Sequence, residues 1–263
     1  MPLVWLFNWL LIGGGLVLVA GWPPAAAGLA ALTLLSALTV VATSRSFERL
    51  VARLQGTRRP SPREAALVAQ EFMLLEERLG GDYRPDVLVL DRPVPGAWAL
   101  GRHTVVVTTG LLGFCRGGEL AGVLAHEAGH QLEGHAVRRL IVRVLGLSGG
   151  LAGVLGWSAL RLGLALAGAG RGNPLGDTAA FLADVLASGV RLLGLVEKAL
   201  VCVLFRREEY AADVFAARLG LGEGLASYLD RLAFLEQSGN ALHRLWSLHP
   251  PYHLRLERLR NLS

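Results

Sequence analysis

The chain has 263 residues, 52% of them hydrophobic and 18% charged, with a mean hydropathy of +0.44 and a formal net charge of +5. That balance is too apolar for an ordinary soluble domain, in which about a quarter of residues are charged, and too polar for a chain lying wholly in lipid. The basic excess is nearly all arginine, with Lys198 the only lysine, and no nucleic-acid motif accompanies it, which points to an anionic membrane surface and no nucleic-acid partner.

In chain order, residues 3–20 and 25–42 are uncharged runs, each about as long as a bilayer-spanning helix, and Gly21-Trp22-Pro23-Pro24 between them makes a tight turn. A cleaved leader fits less well than a helical hairpin, because no basic segment precedes the first run and a second follows at once. Residues 45–63 then carry Arg45, Arg49, Arg53, Arg58, Arg59 and Arg63, and the positive-inside rule puts them in the cytoplasm. Ser61-Pro62-Arg63-Glu64 is a capping-box start for a helix that should run to Leu79 and stop at Gly80-Gly81. Residues 86–109 are the strand-rich stretch. Val87-Leu88-Val89-Leu90 is one candidate strand, and Ala97–Leu100 with Thr104–Thr108 reads as a hairpin around Gly101-Arg102. Helical patterning resumes at Gly110. Two further apolar stretches, 141–169 and 178–205, read as membrane helices, the first with Gly146, Gly149, Gly150, Gly153 and Gly156 on a smooth packing face. The alternative is a soluble helical hairpin covering the remainder, since Asp184, Arg191, Glu197 and Lys198 are costly in lipid. Cys115 and Cys202 lack metal-ligand spacing and read as small buried hydrophobes.

The chemistry is concentrated at His126-Glu127-Ala128-Gly129-His130, an H-E-x-x-H pattern. On a helix, residues four apart share a face, so both imidazoles can reach one ion while Glu127 serves as the base beside it. Leu120, Val123 and Leu124 have the spacing of a buried helix face, which puts the pattern on the element it needs. A metzincin would have glycine at 133 and histidine at 136; Glu133 and Ala136 exclude that class. His135, five residues past His130, points off the ligand face and reads as a surface or supporting residue. The better third ligand is a carboxylate in Arg206-Arg207-Glu208-Glu209-Tyr210-Ala211-Ala212-Asp213. There Glu209 can ligate while Asp213, four residues on, holds a ligand histidine by its other nitrogen.

With these motifs in place the chain resembles the HtpX-type membrane metallopeptidases, relatives of the CAAX prenyl protease. Gly110-Leu111-Leu112 and Glu119 through Glu127 resemble the family's G-L-L … E-L-x-x-V-L-A-H-E; Arg207 through Asp213 resembles its E-Y-x-A-D; Leu248 through Leu256 resembles its H-P-P-x-x-x-R-I. The resemblance implies one zinc ion per chain on His126, His130 and Glu209, with Glu127 catalytic. It implies that Pro95-Gly96-Ala97-Trp98-Ala99 is an edge strand pairing with an extended substrate, although Gly96 stands where the family has asparagine. Trp98 has the alternative of a core position. His249 is a candidate to stabilise the oxyanion or to fill the fourth metal position, and Arg255 to pair with an acidic residue; the plainer alternative is that Pro250-Pro251 only separates two helices.

The expected fold is therefore mainly α with a small β-sheet, a zincin-type metallopeptidase domain combined with transmembrane helices. Its expected parts are a hairpin over 1–44, a first catalytic segment over 45–140, two apolar helices over 141–205, and a second catalytic segment over 206–263. The expected activity is zinc-dependent endoproteolysis of protein or peptide substrates, misfolded or membrane proteins as the resemblance implies. The expected location is the inner membrane, multi-pass and in contact with lipid, with the catalytic part cytoplasmic. Rival readings are a membrane scaffold or sensor with a structural zinc, and a protease dedicated to one processing step.

Overall fold

A computed structural model describes residues 2–81, 83–166, 174–235 and 250–261. The described chain is mainly helical with one small sheet and divides into two units, Met1–Val41 with Ile141–Leu200, and Ala42–Leu140 with Val201–Ser263.

The first unit holds α1 (Pro2–Ala20) and most of α2 (Pro24–Ala42). Among the described residues α2 is long and apolar enough to cross a bilayer, with a mean hydropathy of 2.1, and α1 contains a shorter apolar run, Trp5–Val17. Hydroxyls on α2 bond back to the carbonyl four residues earlier, Thr33 to Leu29, Ser36 to Leu32 and Thr39 to Leu35. The Trp9 indole N–H donates to the Gly28 carbonyl at 2.9 Å. Such internal satisfaction is what a lipid-facing helix requires, because hydrocarbon offers polar groups no partner. Helices α7 (His135–Leu166) and α8 (Pro174–Arg218) are each divided between the units; the surroundings of Gly149, Gly150, Gly153 and Gly156 lie outside the described side chains.

The second unit carries the sheet and the remaining helices: α3 (Arg45–Leu54), α4 (Pro62–Leu79), α5 (Thr109–Phe114), α6 (Glu119–Leu132), α9 (Gly222–Leu235) and α10 (Tyr252–Arg260). Helix α4 starts in the capping box formed by Ser61 and Glu64 and ends at Gly80. Strands β1 (Asp86–Leu90), β2 (Ala97–Leu100) and β3 (Thr104–Thr108) take the order β1-β3-β2. The β-branched run of β3 is buried at every position, as a central strand should be. It pairs antiparallel with β2 through the hairpin and parallel with β1. Arg58 exchanges backbone hydrogen bonds with Val89 on the far side of β1, so β2 is left as an edge.

The hairpin turn is held by Glu48 of α3, which is fully buried. Its carboxylate accepts from the Arg102 and His103 backbone N–H groups at 2.7 and 3.1 Å and from the Thr104 hydroxyl at 3.2 Å. The main core joins β1, β3, α4, α5, α6, α9 and α10 through Leu75, Val89, Val105, Leu124, Leu225 and Leu256, among others. Helix α6 lies at its centre, buried from Glu119 to Gln131 and packed against α4, α9 and β2. It was expected to bury one face; these elements, with α8 against Gly129, bury it all round.

Candidate metal centre

Helix α6 presents the two imidazoles from adjacent turns, with Nε2 of His126 and Nε2 of His130 3.2 Å apart. Helix α8 brings Glu209 opposite them: one carboxylate oxygen is 3.6 Å from His126 Nε2 and the other 3.2 Å from His130 Nε2. Among the described residues these three form the group able to hold a metal ion, and all are buried. Bonds of 2.0–2.1 Å to a tetrahedral zinc place neighbouring donors about 3.3 Å apart. The imidazole nitrogens have that spacing and each faces one Glu209 oxygen at a similar distance, and two imidazoles with a carboxylate are a zinc donor set, so the residues present fit the ion.

Charged neighbours hold these ligands. His126 Nδ1 lies 2.9 Å from Asp213 Oδ1, and Asp213 accepts from Arg255 Nη2 and Nε at 2.6 and 2.9 Å. Arg255 also reaches Glu209 at 3.3 Å. From the start of α7, Arg139 donates to Glu209 Oε1 at 2.7 Å and to Glu208 at 3.3 Å, its guanidinium lying over the Phe205 ring. His130 Nδ1 is 3.3 Å from Nδ1 of His135, which is buried rather than on the surface. Nothing near it in the sequence marks Arg139. Its partner lies 70 residues ahead, so no local pattern betrays it.

Burial and Arg255 both oppose charge on His126, yet hydrogen bonds to Asp213 and Glu209 prevail and raise it to about 9. Burial dominates at His130 and lowers it to about 3 in spite of Glu209. Burial, then Arg138 and Arg139, lower His135 to about 4 and keep it neutral. Against the cost of burial, Arg255 and His126 hold Asp213 below the usual carboxylate range. Glu127 goes the other way, raised chiefly by burial, which suits a group that must take up a proton.

Glu127 Oε2 accepts a 2.6 Å hydrogen bond from the backbone N–H of Ala99 in β2. Gly96 and Thr108 are bonded at the head of the hairpin, and the register pairs Ala97 with Val107 and Trp98 with Val106. Antiparallel alternation then directs the backbone groups of Trp98 and Leu100 towards β3 and those of Ala97 and Ala99 outward. The half-buried Trp98 side chain packs on the cluster of Ala52, Leu100 and Leu140. His249 lies outside the described residues, while Pro251 caps α10, the helix that delivers Arg255.

The model of peptidase family M48 matches residues 62–263. A protein named "Protease HtpX homolog" from Dictyoglomus turgidum is 33% identical over 208 residues, covering 68% of this chain and 64% of the relative. One of the same name from Acidiphilium cryptum is 31% identical over 207 residues, covering 68% of each. The chain thus spans about two thirds of these relatives' length. Among solved structures, S. mikatae Ste24p is similar in fold, with a TM-score of 0.58 at 17% identity over 98% of this chain and 61% of that one.

Proposed function

The chain belongs to peptidase family M48, and from that premise we propose that it is a membrane-bound zinc endopeptidase with His126, His130 and Glu209 as its metal ligands. The observation that carries the reading is the convergence of those three donors on one point, with Glu127 alongside and bonded to the edge strand. Zinc held there would supply Lewis acidity, acidifying water and polarising the scissile carbonyl. Glu127 takes a proton from the water that attacks the carbonyl carbon and passes it to the leaving amine as the C–N bond breaks. Asp213, Arg255 and Arg139 hold His126 and Glu209 in register. An extended substrate pairs with the outward backbone groups of Ala97 and with the carbonyl of Ala99, whose N–H is held by Glu127, with Gly96 and Trp98 serving through the strand's geometry and not through side-chain contact.

Among the described residues three protein donors gather, the number of a catalytic zinc site, whereas a structural site uses four. Glu127, beside them and bonded to the edge strand, favours the enzyme over a scaffold or sensor. Helix α2 and the apolar runs around it support a multi-pass membrane location, with the arginine-rich segment from Arg45 to Arg63 on the cytoplasmic side. The substrate class in this reading is misfolded or membrane protein. His249 remains in it as a candidate for the oxyanion.

Purified protein should contain one zinc and cleave an unfolded protein such as casein, with activity lost on chelation and regained on adding zinc. Glu127→Gln should keep the zinc and lose about 10²–10⁴-fold in rate. Glu209→Ala should lose the metal. Zinc retained by Glu209→Ala, or a wild-type rate in Glu127→Gln, would reject the assignment.

A further inference from the structure

His126 has an anionic partner, Asp213, to fix its ring, whereas the partner of His130 is another imidazole. Because His130 Nε2 faces the other two donors, a neutral His130 that ligates through it carries its hydrogen on Nδ1. Nδ1 of His135 lies 3.3 Å away, and two such nitrogens form a hydrogen bond only when one carries the hydrogen and the other a lone pair. His135 must then accept at Nδ1 and hold its own hydrogen on Nε2, which lies 3.2 Å from Glu133 Oε2. A carboxylate oxygen at that distance favours a hydrogen on the nitrogen it faces, so Glu133 biases His135 towards that tautomer. The donor direction is then His130 Nδ1–H to His135, with the Glu133 carboxylate beside His135 Nε2. The reverse direction would put a hydrogen on His130 Nε2, where the metal belongs.

The backbone explains how a residue five positions on reaches this place. Helix α6 ends at Leu132 with Glu133 as its C-cap, and Gly134 takes a φ of +73° that a side chain would strain. The chain turns there, and α7 starts with His135 beneath His130 instead of a further helical turn around α6.

We propose that His135 is a positioning residue, paired with Glu133, that holds His130 in its metal-ligating tautomer. This rests on the reading of His126, His130 and Glu209 as the metal site. The closing experiment measures zinc affinity of the full-length chain in detergent by competition with a chelator. His135→Phe, which fills the space but cannot accept, should weaken zinc ten- to a hundredfold, the usual effect of losing such a partner. His135→Asn, whose Oδ1 can accept from His130, should recover most of that loss. Glu133→Lys, at a partly exposed position, offers His135 only donors, opposes the required tautomer and should weaken zinc several-fold. Nitrogen-15 spectra of the zinc-loaded, histidine-labelled protein should show His130 protonated at Nδ1 and His135 at Nε2.

His135→Phe binding zinc within twofold of wild type, or the opposite tautomers in the spectra, would overturn the proposal. Should His135→Phe fail to fold, the Asn and Lys variants decide: full affinity in Glu133→Lys or large loss in His135→Asn counts against it. A wild-type chain that takes up no zinc sinks this proposal together with the site reading. Zinc kept by Glu209→Ala but lost by His135→Phe sinks only the three-ligand assignment.

Discussion

Arg255 and Asp213 are both buried, and each is the other's main compensation: two hydrogen bonds of 2.6 and 2.9 Å join them. Removing one member of such a pair strands a charge in a low-dielectric interior, at a cost of about 3–5 kcal/mol. Arg255→Met is therefore expected to lower the unfolding free energy by that amount, read as a lower denaturant midpoint, and adding Asp213→Asn should recover part of the loss. Equal midpoints for the single and double variants would show that the cost is packing and not charge. The ease with which these residues could be read from the sequence varies with the range of the interaction. The imidazole pair is a local matter of helical spacing, and Glu209 with Asp213 shows the same four-residue step. Arg139 has no such signature, because its contact with Glu209 exists only once two distant helices meet. His135 does not lie on the surface, one of its two expected places, because α6 has ended before Gly134 and helical spacing does not carry through it.

Packing between elements tests differently. Helix α6 approaches the start of α9 so closely that a Cβ at Gly122 would run into the backbone N of Leu225 and lie 2.8 Å from the Gly224 carbonyl carbon. Both obstacles are main chain and cannot rotate away, so Gly122→Ala should cost about 1–3 kcal/mol, read as a lower midpoint with the H-E-x-x-H residues untouched. A second tie joins β1 to the head of α4. Arg58 bonds Val89 through its backbone, and its guanidinium binds Glu64 of the capping box at 2.7 and 2.8 Å and Asp91 at 2.7 and 2.8 Å. Hydrogen bonds from Arg58 and then Ser61 lower Glu64 from 4.5 to about 2. A carboxylate depressed on folding stabilises above its unfolded pKa, and the gain is lost as pH falls towards the folded value. The stability gap between wild type and Glu64→Gln should thus be steady above about pH 5 and close between there and about pH 2, measured by denaturation across that range. The strands themselves were legible from their β-branched runs and turn residues. The parallel pairing of β1 with β3 was not, because it depends on Arg58 occupying the other edge of β1 and on the hairpin that puts β2 outside.

At the scale of the molecule, the second unit is assembled from Ala42–Leu140 and Val201–Ser263, and the donor triangle draws on both: His126 and His130 from one, Glu209 from the other. An ion bound there acts as a cross-link that only the folded unit can make. Ligand bound to the native state alone stabilises by RT ln(1 + [L]/Kd), about 4 kcal/mol when free zinc exceeds Kd a thousandfold. Chelation should therefore lower the thermal midpoint of the wild-type protein, and restored zinc should raise it again in proportion to the logarithm of its concentration. Glu209→Ala, with the cross-link cut on one side, should melt at nearly the same temperature with and without zinc. A zinc-dependent midpoint surviving in that variant would mean that the ion stabilises the chain from somewhere other than the junction of its two segments, and that the fold does not close around this site.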